Sequence, residues 1–451
     1  MGNLRCGIEI HVQLLTKSKI FCSCPTSGSE EPNSRTCEIC TGFPGSKPVL
    51  NKEALHQAIK VALALNCKIA KTTFFSRKSY FYPDLPKSFQ ITQYEVPIGS
   101  KGKFENIGIT RLHLEEDPGA LIHKGATCLI DYNRSGIPLI EIVTEPDFKS
   151  PNEVRLFLRK LITILSYLNV YSKKNEATMK ADANISTTGE RVEIKNVTGL
   201  KEIEKALEYE AVRQEKEPAK VKETRRWDSE KGSTSLMRTK ESEEDYGFIT
   251  EPDLPKIEIS RELVSLIKSE IPELSLDKTS RFQKDYKLKK EDAEILSSEK
   301  KLADIFEEVA KKINPDLAAK WLVRDLIKIL HYNKTTIDEL NLDTKHVTEL
   351  LDLFQQNKIT DNTVKEVLIQ LIKKPFSPRE YIEKNKLLIV SESKDLEKIC
   401  KDVIKENSTA AEDYKKGNEK SIHFLTGQVM RKTKGTADPK IVEKILKKLI
   451  K

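Results

Sequence analysis

Three consecutive carboxylates, Glu115-Glu116-Asp117, stand at the end of the alternating segment Arg111-Leu112-His113-Leu114, just before Pro118-Gly119. In a strand, Leu112 and Leu114 face a core while Arg111, His113 and Glu115 share the opposite face. Neighbouring carboxylates repel, and burying them is costly unless a cation sits among them. A second segment, Gly7-Ile8-Glu9-Ile10-His11-Val12, repeats the pattern: Ile8, Ile10 and Val12 on one side, Glu9 and His11 on the other. Two core-type strands ending in hard oxygen donors suit one shared Mg²⁺ ion, with Glu9, His11, Glu115 and Glu116 as candidate ligands. Strict alternation sends Glu115 and Glu116 to opposite faces, so equal roles for the two are not expected. Mg²⁺ held in this way points to phosphate chemistry. The sequence has no G-x-x-x-x-G-K-[ST] loop, so a nucleotide would have to be held by strand faces and loops.

Cys22, Cys24, Cys37 and Cys40 form a C-x-C pair and a C-x-x-C pair separated by twelve residues. Two close pairs of thiolates suit tetrahedral structural Zn²⁺, and Gly42-Phe43-Pro44-Gly45 fits a knuckle turn; four reduced thiols in a loop are the alternative. Eight cysteines in 451 residues do not make a disulfide framework in a reducing compartment. None sits beside a histidine in a nucleophile's setting, so a catalytic thiol is not expected.

The elements that must position these groups read as α+β up to about residue 260. Strands are expected at 7–14, 107–116, 127–133, 138–144, 180–186 and 191–195. Asn51 caps a helix running to about Asn66, Ser150-Pro151-Asn152-Glu153 is a capping box that opens a helix through about Leu168, and a third helix covers about 200–216. Beyond residue 260 helical spacing dominates, at 260–270, 291–312, 314–332, 346–356 and 361–373, until Pro375-Phe376-Ser377-Pro378 breaks the run. The expected division is 1–290, an α+β domain with the cysteine cluster; 291–374, a helical domain; and 375–451, a small helical tail.

With 38% hydrophobic and 32% charged residues and no apolar run of about 18, a membrane-spanning helix is not expected. The N-terminus lacks the apolar core of a signal peptide, which makes a cytoplasmic location the expectation. The net charge of +8 fits either a lysine-rich surface or a polyanionic partner. The basic residues concentrate in the tail, where Arg431, Lys432 and Lys434 stand with Lys440, Lys444, Lys447, Lys448 and Lys451.

Several long motifs together resemble one family, the B subunit of the tRNA-dependent amidotransferases. They are Gly7 to His11, the cysteine cluster, Arg77-Lys78-Ser79-Tyr80-Phe81-Tyr82-Pro83-Asp84-Leu85-Pro86-Lys87, Arg111 to Asp117, and Asp131-Tyr132-Asn133-Arg134-Ser135-Gly136 through Ile142. Asp182-Ala183-Asn184, Glu193-Ile194-Lys195-Asn196, Glu223 to Asp228 and Phe424 to Met430 continue the series in the family's order. Two departures stand out: Lys180 replaces the family's usual arginine, and Asp245-Tyr246-Gly247-Phe248-Ile249-Thr250 replaces Asp-Tyr-Arg-Tyr-Phe-Pro.

The resemblance implies a cradle-like catalytic domain and an ATP-dependent reaction. The side-chain carboxylate of misacylated Asp-tRNA(Asn) or Glu-tRNA(Gln) is phosphorylated, and ammonia then displaces phosphate. It implies Glu9, His11, Glu115 and Glu116 at the metal, with Asp182, Asn184, Glu193 and Lys195 lining the same cleft. Tyr80, Tyr82 and Lys87 are expected at the ATP phosphates or the tRNA acceptor end, and Arg134 is expected to be delivered to the cleft by its turn. The basic tail, Arg431, Lys432 and Lys434 included, is expected to meet the tRNA backbone, although lysines also simply complement helix C-termini. The chain carries no glycine- and serine-rich amidase signature, so a glutaminase A subunit is implied as partner, with a small C subunit completing a heterotrimer. A non-catalytic tRNA-binding module and the large subunit of the two-subunit Glu-tRNA(Gln) amidotransferase are the competing readings.

Overall fold

The computed structural model describes residues 4–172, 179–239, 247–389, 393–433 and 435–450. Asp245, Tyr246, Lys434 and Lys451 lie outside the described residues. The chain forms two units, Met1–Leu274 and Ser275–Lys451.

The first unit is organised by one large sheet, whose main path holds ten strands among the described residues. In chain order these are β1 (Arg5–Gln13), β2 (Ser76–Ser79), β3 (Phe89–Thr92), β4 (Ile107–Glu116), β5 (Pro138–Thr144), β6 (Met179–Ser186), β7 (Val192–Thr198), β8 (Glu223–Asp228), β9 (Ser233–Thr239) and β10 (Gly247–Thr250). Their order across the sheet is β9-β8-β7-β6-β1-β5-β4-β3-β2-β10, so the N-terminal strand lies in the middle. All neighbours on this path are antiparallel except β7 and β8, which are parallel. A parallel pair needs a crossover. Helix α3 (Leu200–Lys216) supplies it, packing on the sheet through buried Ile203, Ala206 and Leu207.

Alternation makes the middle of this sheet two-faced. On β1, Ile8, Ile10 and Val12 are fully buried, and Leu112, Leu114, Ile140, Ile142, Ala181 and Ala183 continue that apolar layer across the neighbouring strands. Helices α1 (Lys52–Ala64) and α2 (Pro151–Tyr167) belong to the same unit. Phe157 of α2 meets Phe104 and Phe148 edge-on, with ring centroids 5.4 and 5.2 Å apart. The expected caps are present: Asn51 Oδ1 accepts from the backbone of Glu53 and Ala54, and Ser150 Oγ accepts from Glu153. Glu210 of α3 is fully buried and accepts from Arg213, Gln214 and Thr234, with Arg225 at 3.7 Å.

The second unit is helical. The segment expected as one helix over 291–312 is two, Lys290–Ser297 and Lys300–Ala310. The cause is local: Ser297 and Ser298 turn their hydroxyls back onto the carbonyls of Ala293 and Ile295, and Glu299 is extended. The run Pro315–Tyr332 is continuous but carries a wide turn at Trp321–Leu326. Phe282 and Leu288 already belong to this unit's core, which places the unit boundary ahead of them.

Replacing Phe157 by alanine opens a cavity between α2 and its two aromatic neighbours. Denaturant unfolding is expected to show a loss of about 3–5 kcal/mol, and a Phe157→Leu variant clearly less. A Phe157→Leu variant as stable as the unmodified protein would mean that the ring contacts contribute little.

Candidate functional site

The face of the sheet opposite the apolar layer carries the chemistry, and strand register decides which groups meet. His11 on β1 lies directly across from Glu141 on β5 and Lys180 on β6, and Glu9 lies across from Asp182. Glu141 is in turn opposite His113 on β4, two residues from Glu115. Directly opposed side chains in an antiparallel pair share a face. Glu9, His11, Glu141, His113 and Glu115 therefore converge.

The distances bear this out. His11 Nε2 is 3.5 Å from Glu115 and 3.4 Å from Glu141, and His113 Nε2 is 4.0 and 3.7 Å from the same two carboxylates. Arg111 reaches Glu141 at 3.2 Å. Donor atoms of Glu9, His11 and Glu141 lie within 4.8 Å of one another, as do those of His113, Glu115 and Glu141. Glu141 is common to both groups and stands at the centre.

Acidic charge exceeds what the local cations balance. Burial, and then the charge of Glu141, push the Glu9 carboxyl up to about 8. The same two causes push Glu115 up to about 7. Glu141 resists its burial because His113 and His11 face it and Glu9 donates to it, so its pKa is held well below the ordinary value. Burial alone would lower His11, but its hydrogen bond to Glu141 and the charges of Glu115, Glu141 and Asp182 raise it to about 10. His113 goes the other way: burial lowers it to about 4, and its Nδ1 has no hydrogen-bond partner. Carboxyls that keep their protons near neutral pH under such a field are groups that a divalent cation would ionise. Three carboxylates with a histidine are thus a fitting donor set for a hard divalent ion.

Beside this cluster, Lys195 bridges Asp182 and Glu193, each at 2.7 Å, and Thr224 donates to Glu193. Asn184 lies one pleat further along β6, its Oδ1 buried without a partner. At the other end Gln13 donates to Asp117 at 2.6 Å.

The four cysteine sulfurs of Cys22, Cys24, Cys37 and Cys40 also lie within 4.8 Å of one another. Hydrogen bonding from Cys22, with help from Lys19, pulls Cys40 down to about 5, while burial pushes Cys24 up to about 11. Lys19 is fully buried; its Nζ is 3.6 Å from Cys40 Sγ and donates to the Tyr132 carbonyl. A buried ammonium against clustered sulfur suits a metal–thiolate centre of net negative charge.

The sequence that builds this arrangement matches known proteins. The GatB/GatE catalytic domain matches residues 4–265, and the GatB domain matches residues 304–450. The chain is 42% identical to the B subunit of the aspartyl/glutamyl-tRNA(Asn/Gln) amidotransferase of Thermotoga petrophila, over 98% of each chain. The corresponding B subunit from Caldanaerobacter subterraneus is also 42% identical over 98% of each chain, and that from Methanococcus maripaludis 42% over 99% of this chain and 98% of its own. The chain belongs to the GatB/GatE family.

Not every residue expected at the family's site joins the cluster. Glu116 faces away from Glu115: its carboxylate takes Lys87 Nζ at 2.6 Å and the Ile91 amide at 2.9 Å. Lys87 is thereby an ion-pair partner of Glu116 rather than a member of the Glu9–Glu141 group. Tyr80 lies beneath Lys78, and Tyr82 is exposed. Arg134 donates to the carbonyls of Pro118 and Gly119 and lies 3.6 Å from Asp117. In the second unit, Lys432 pairs with Glu406 at 2.6 Å and Arg431 is exposed at the end of the helix Lys420–Lys432.

Two residues that stand in the middle of the cluster, Glu141 and His113, are not among those expected from the sequence. A signal for Glu141 is present in the sequence: in Leu139-Ile140-Glu141-Ile142-Val143 it is a lone acid in an apolar strand. The raised pKa values fix a sign for pH. Glu9, Glu115 and His11 all hold protons in the folded state that the unfolded chain releases, so stability without divalent ions falls as pH rises. His113 opposes this only below its unfolded value of about 6.5, and Cys40, held at about 5, opposes it up to about pH 9, so Glu9, Glu115 and His11 outweigh it chiefly below about pH 8. In chelator, the melting temperature is expected to fall from about pH 6.5 to 8, with Mg²⁺ adding more at the upper end and Glu9→Gln flattening the slope. A flat profile in the unmodified protein would contradict this account of the cluster.

Proposed function

We propose that this chain is the carboxylate-activating B subunit of a tRNA-dependent amidotransferase, acting on Asp-tRNA(Asn), Glu-tRNA(Gln) or both. The observation that carries the reading is the Glu9–His11–Glu115–Glu141 cluster, set in a chain that aligns end to end with named B subunits. A pure tRNA-binding module gains nothing from burying carboxylates against one another, which counts against the non-catalytic alternative.

The reaction is an ATP-dependent carbon–nitrogen ligation. A carboxylate is a poor electrophile at neutral pH, so its oxygen first attacks the γ-phosphorus of ATP and ADP leaves. Ammonia then adds to the acyl phosphate carbon, phosphate departs, and the nitrogen gives up a proton to leave the amide. Glu9, His11, Glu115 and Glu141 would hold Mg²⁺, which supplies charge neutralisation for the transferring phosphoryl group. The Lys195–Asp182–Glu193 triad, Asn184 and Arg134 line the approach and orient nucleotide and aminoacyl ester. Tyr80, Tyr82 and Lys87 lie on the side where nucleotide or acceptor end would enter, with Lys87 acting through its grip on Glu116.

Ammonia comes in this reading from a glutaminase A subunit, with a small C subunit completing a heterotrimer. Among the described residues no helix is long and apolar enough to cross a membrane, and the proposed location is the cytoplasm. Arg431, Lys432 and Lys434 are proposed to meet the tRNA backbone, and Cys22, Cys24, Cys37 and Cys40 to hold structural Zn²⁺.

Reconstituted with a glutaminase partner, ATP and Mg²⁺, the protein is expected to form amide on at least one of the two misacylated tRNAs; amide on neither would remove the reading. Within that assay Glu141→Gln is expected to lower kcat by about a hundredfold or more, while Glu116→Gln costs far less. Equal losses would show that the cluster is wrongly centred. Elemental analysis is expected to find one zinc per chain, lost when Cys37 and Cys40 are both replaced by serine; a zinc-free native protein would leave the four thiols simply reduced.

A further inference from the structure

The surroundings of Lys180 differ from those of the other cations on the active face. It stands directly across from His11 on β6, on the same face as Glu9 and Asp182. It is half-buried, yet its ammonium makes no hydrogen bond or ion pair with any described residue. Lys195 is paired with Asp182 and Glu193 and Lys87 with Glu116, while Arg111 reaches Glu141 through one Nη and keeps its Nε unpartnered. A partly desolvated ammonium beside a reaction centre calls for an anion.

The field around it says which kind. Arg134, Asp117, Asp84 and Asp182 all act on Lys180 through space. With Asp182 already bound to Lys195, two cations, Lys180 and Arg134, face two carboxylates, Asp84 and Asp117. A neutral set of that composition opposes a polyanion such as a triphosphate tail. It complements a zwitterion, which brings one carboxylate and one ammonium. The aminoacyl group esterified to tRNA is such a zwitterion, with a side-chain carboxylate and a free α-ammonium. Arg134 spends its Nε and one Nη on the Pro118 and Gly119 carbonyls, so Lys180 holds the less committed charge.

Resting on the amidotransferase reading above, we propose that Lys180 binds the side-chain carboxylate of the aminoacyl group, holding it beside His11 for phosphorylation, with Asp84 and Asp117 facing the α-ammonium. Lysine offers one point charge on a flexible stem where arginine would offer a planar fork. Either cation can grip the carboxylate through one oxygen, and the point charge leaves the second oxygen the freer to attack phosphorus.

The test is steady-state kinetics of the reconstituted complex with Lys180→Met and Lys180→Arg. For Lys180→Met, KM for the misacylated tRNA is expected to rise by about tenfold or more, the loss of a hydrogen bond to a charged group. KM for ATP and the affinity for deacylated tRNA are expected to stay within about twofold, and Lys180→Arg to recover most of the loss. A rise in KM for ATP instead would assign Lys180 to phosphate and overturn the proposal. So would unchanged constants, or an arginine variant as impaired as the methionine one, since either makes the residue's role one of packing. If the unmodified complex amidates neither tRNA, the amidotransferase reading itself fails, an outcome distinct from any of these.

Discussion

Everything at the active face depends on Glu141 remaining ionised in a place where burial opposes it. It is almost fully enclosed, and three other acids, Glu9, Glu115 and Asp182, lie on the same face. His11, His113 and Arg111 surround it, and Glu9 keeps a proton and donates it. The arrangement is conditional. It is satisfied without metal only by holding protons on neighbouring carboxyls, and those are the protons that a divalent cation displaces. A cluster balanced in this way takes up a metal with release of protons, which couples metal affinity to pH without any moving part.

The sheet exists to impose that balance. Placing β1 in the middle gives Glu9 and His11 neighbours on both sides, from β5 and β6, which are distant in the sequence. The apolar layer beneath, running through Ile8, Ile10, Leu112, Leu114, Ile140 and Ile142, fixes the register, because a one-residue slip would turn every one of those side chains into the polar face. The parallel crossover through α3 packs on the sheet at β6 and β7. Stability and chemistry are thus set by the same alternation, read on opposite faces.

That alternation is also why so much of the site is legible in the sequence. The Glu9/His11 and Arg111/His113/Glu115 faces follow from period two alone, and so does the separation of Glu115 from Glu116. Alternation does not reveal which strands lie side by side. Nothing in the local sequence says that Glu141 lies across from His11, so the residue at the centre of the cluster reads there as part of a motif and not as a ligand. Short strands such as Ser76–Ser79 and Phe89–Thr92 carry too few residues to show a period, and they are formed by pairing with neighbours. In the helical unit, periodicity locates the helices, but the break after Ser297 depends on serine hydroxyls competing for backbone carbonyls.

The absence of a phosphate-binding loop has a structural consequence. A loop at a helix N-terminus offers backbone amides, a fixed positive cradle that is indifferent to side-chain protonation. A sheet face offers side chains about 4.8 Å apart across strands, so neighbouring donors can share one central group, as the two triads here share Glu141. In the function proposed above, the gain is a site where metal, nucleotide and a second acidic substrate would meet on one surface. The cost is that every ligand on it titrates, so the charge on each depends on its neighbours. The far end of this face, where Lys180 and Arg134 stand opposite Asp84 and Asp117, extends the same logic from the metal to the substrate: charge is kept in pairs, and the pair left incomplete marks where the reacting group belongs.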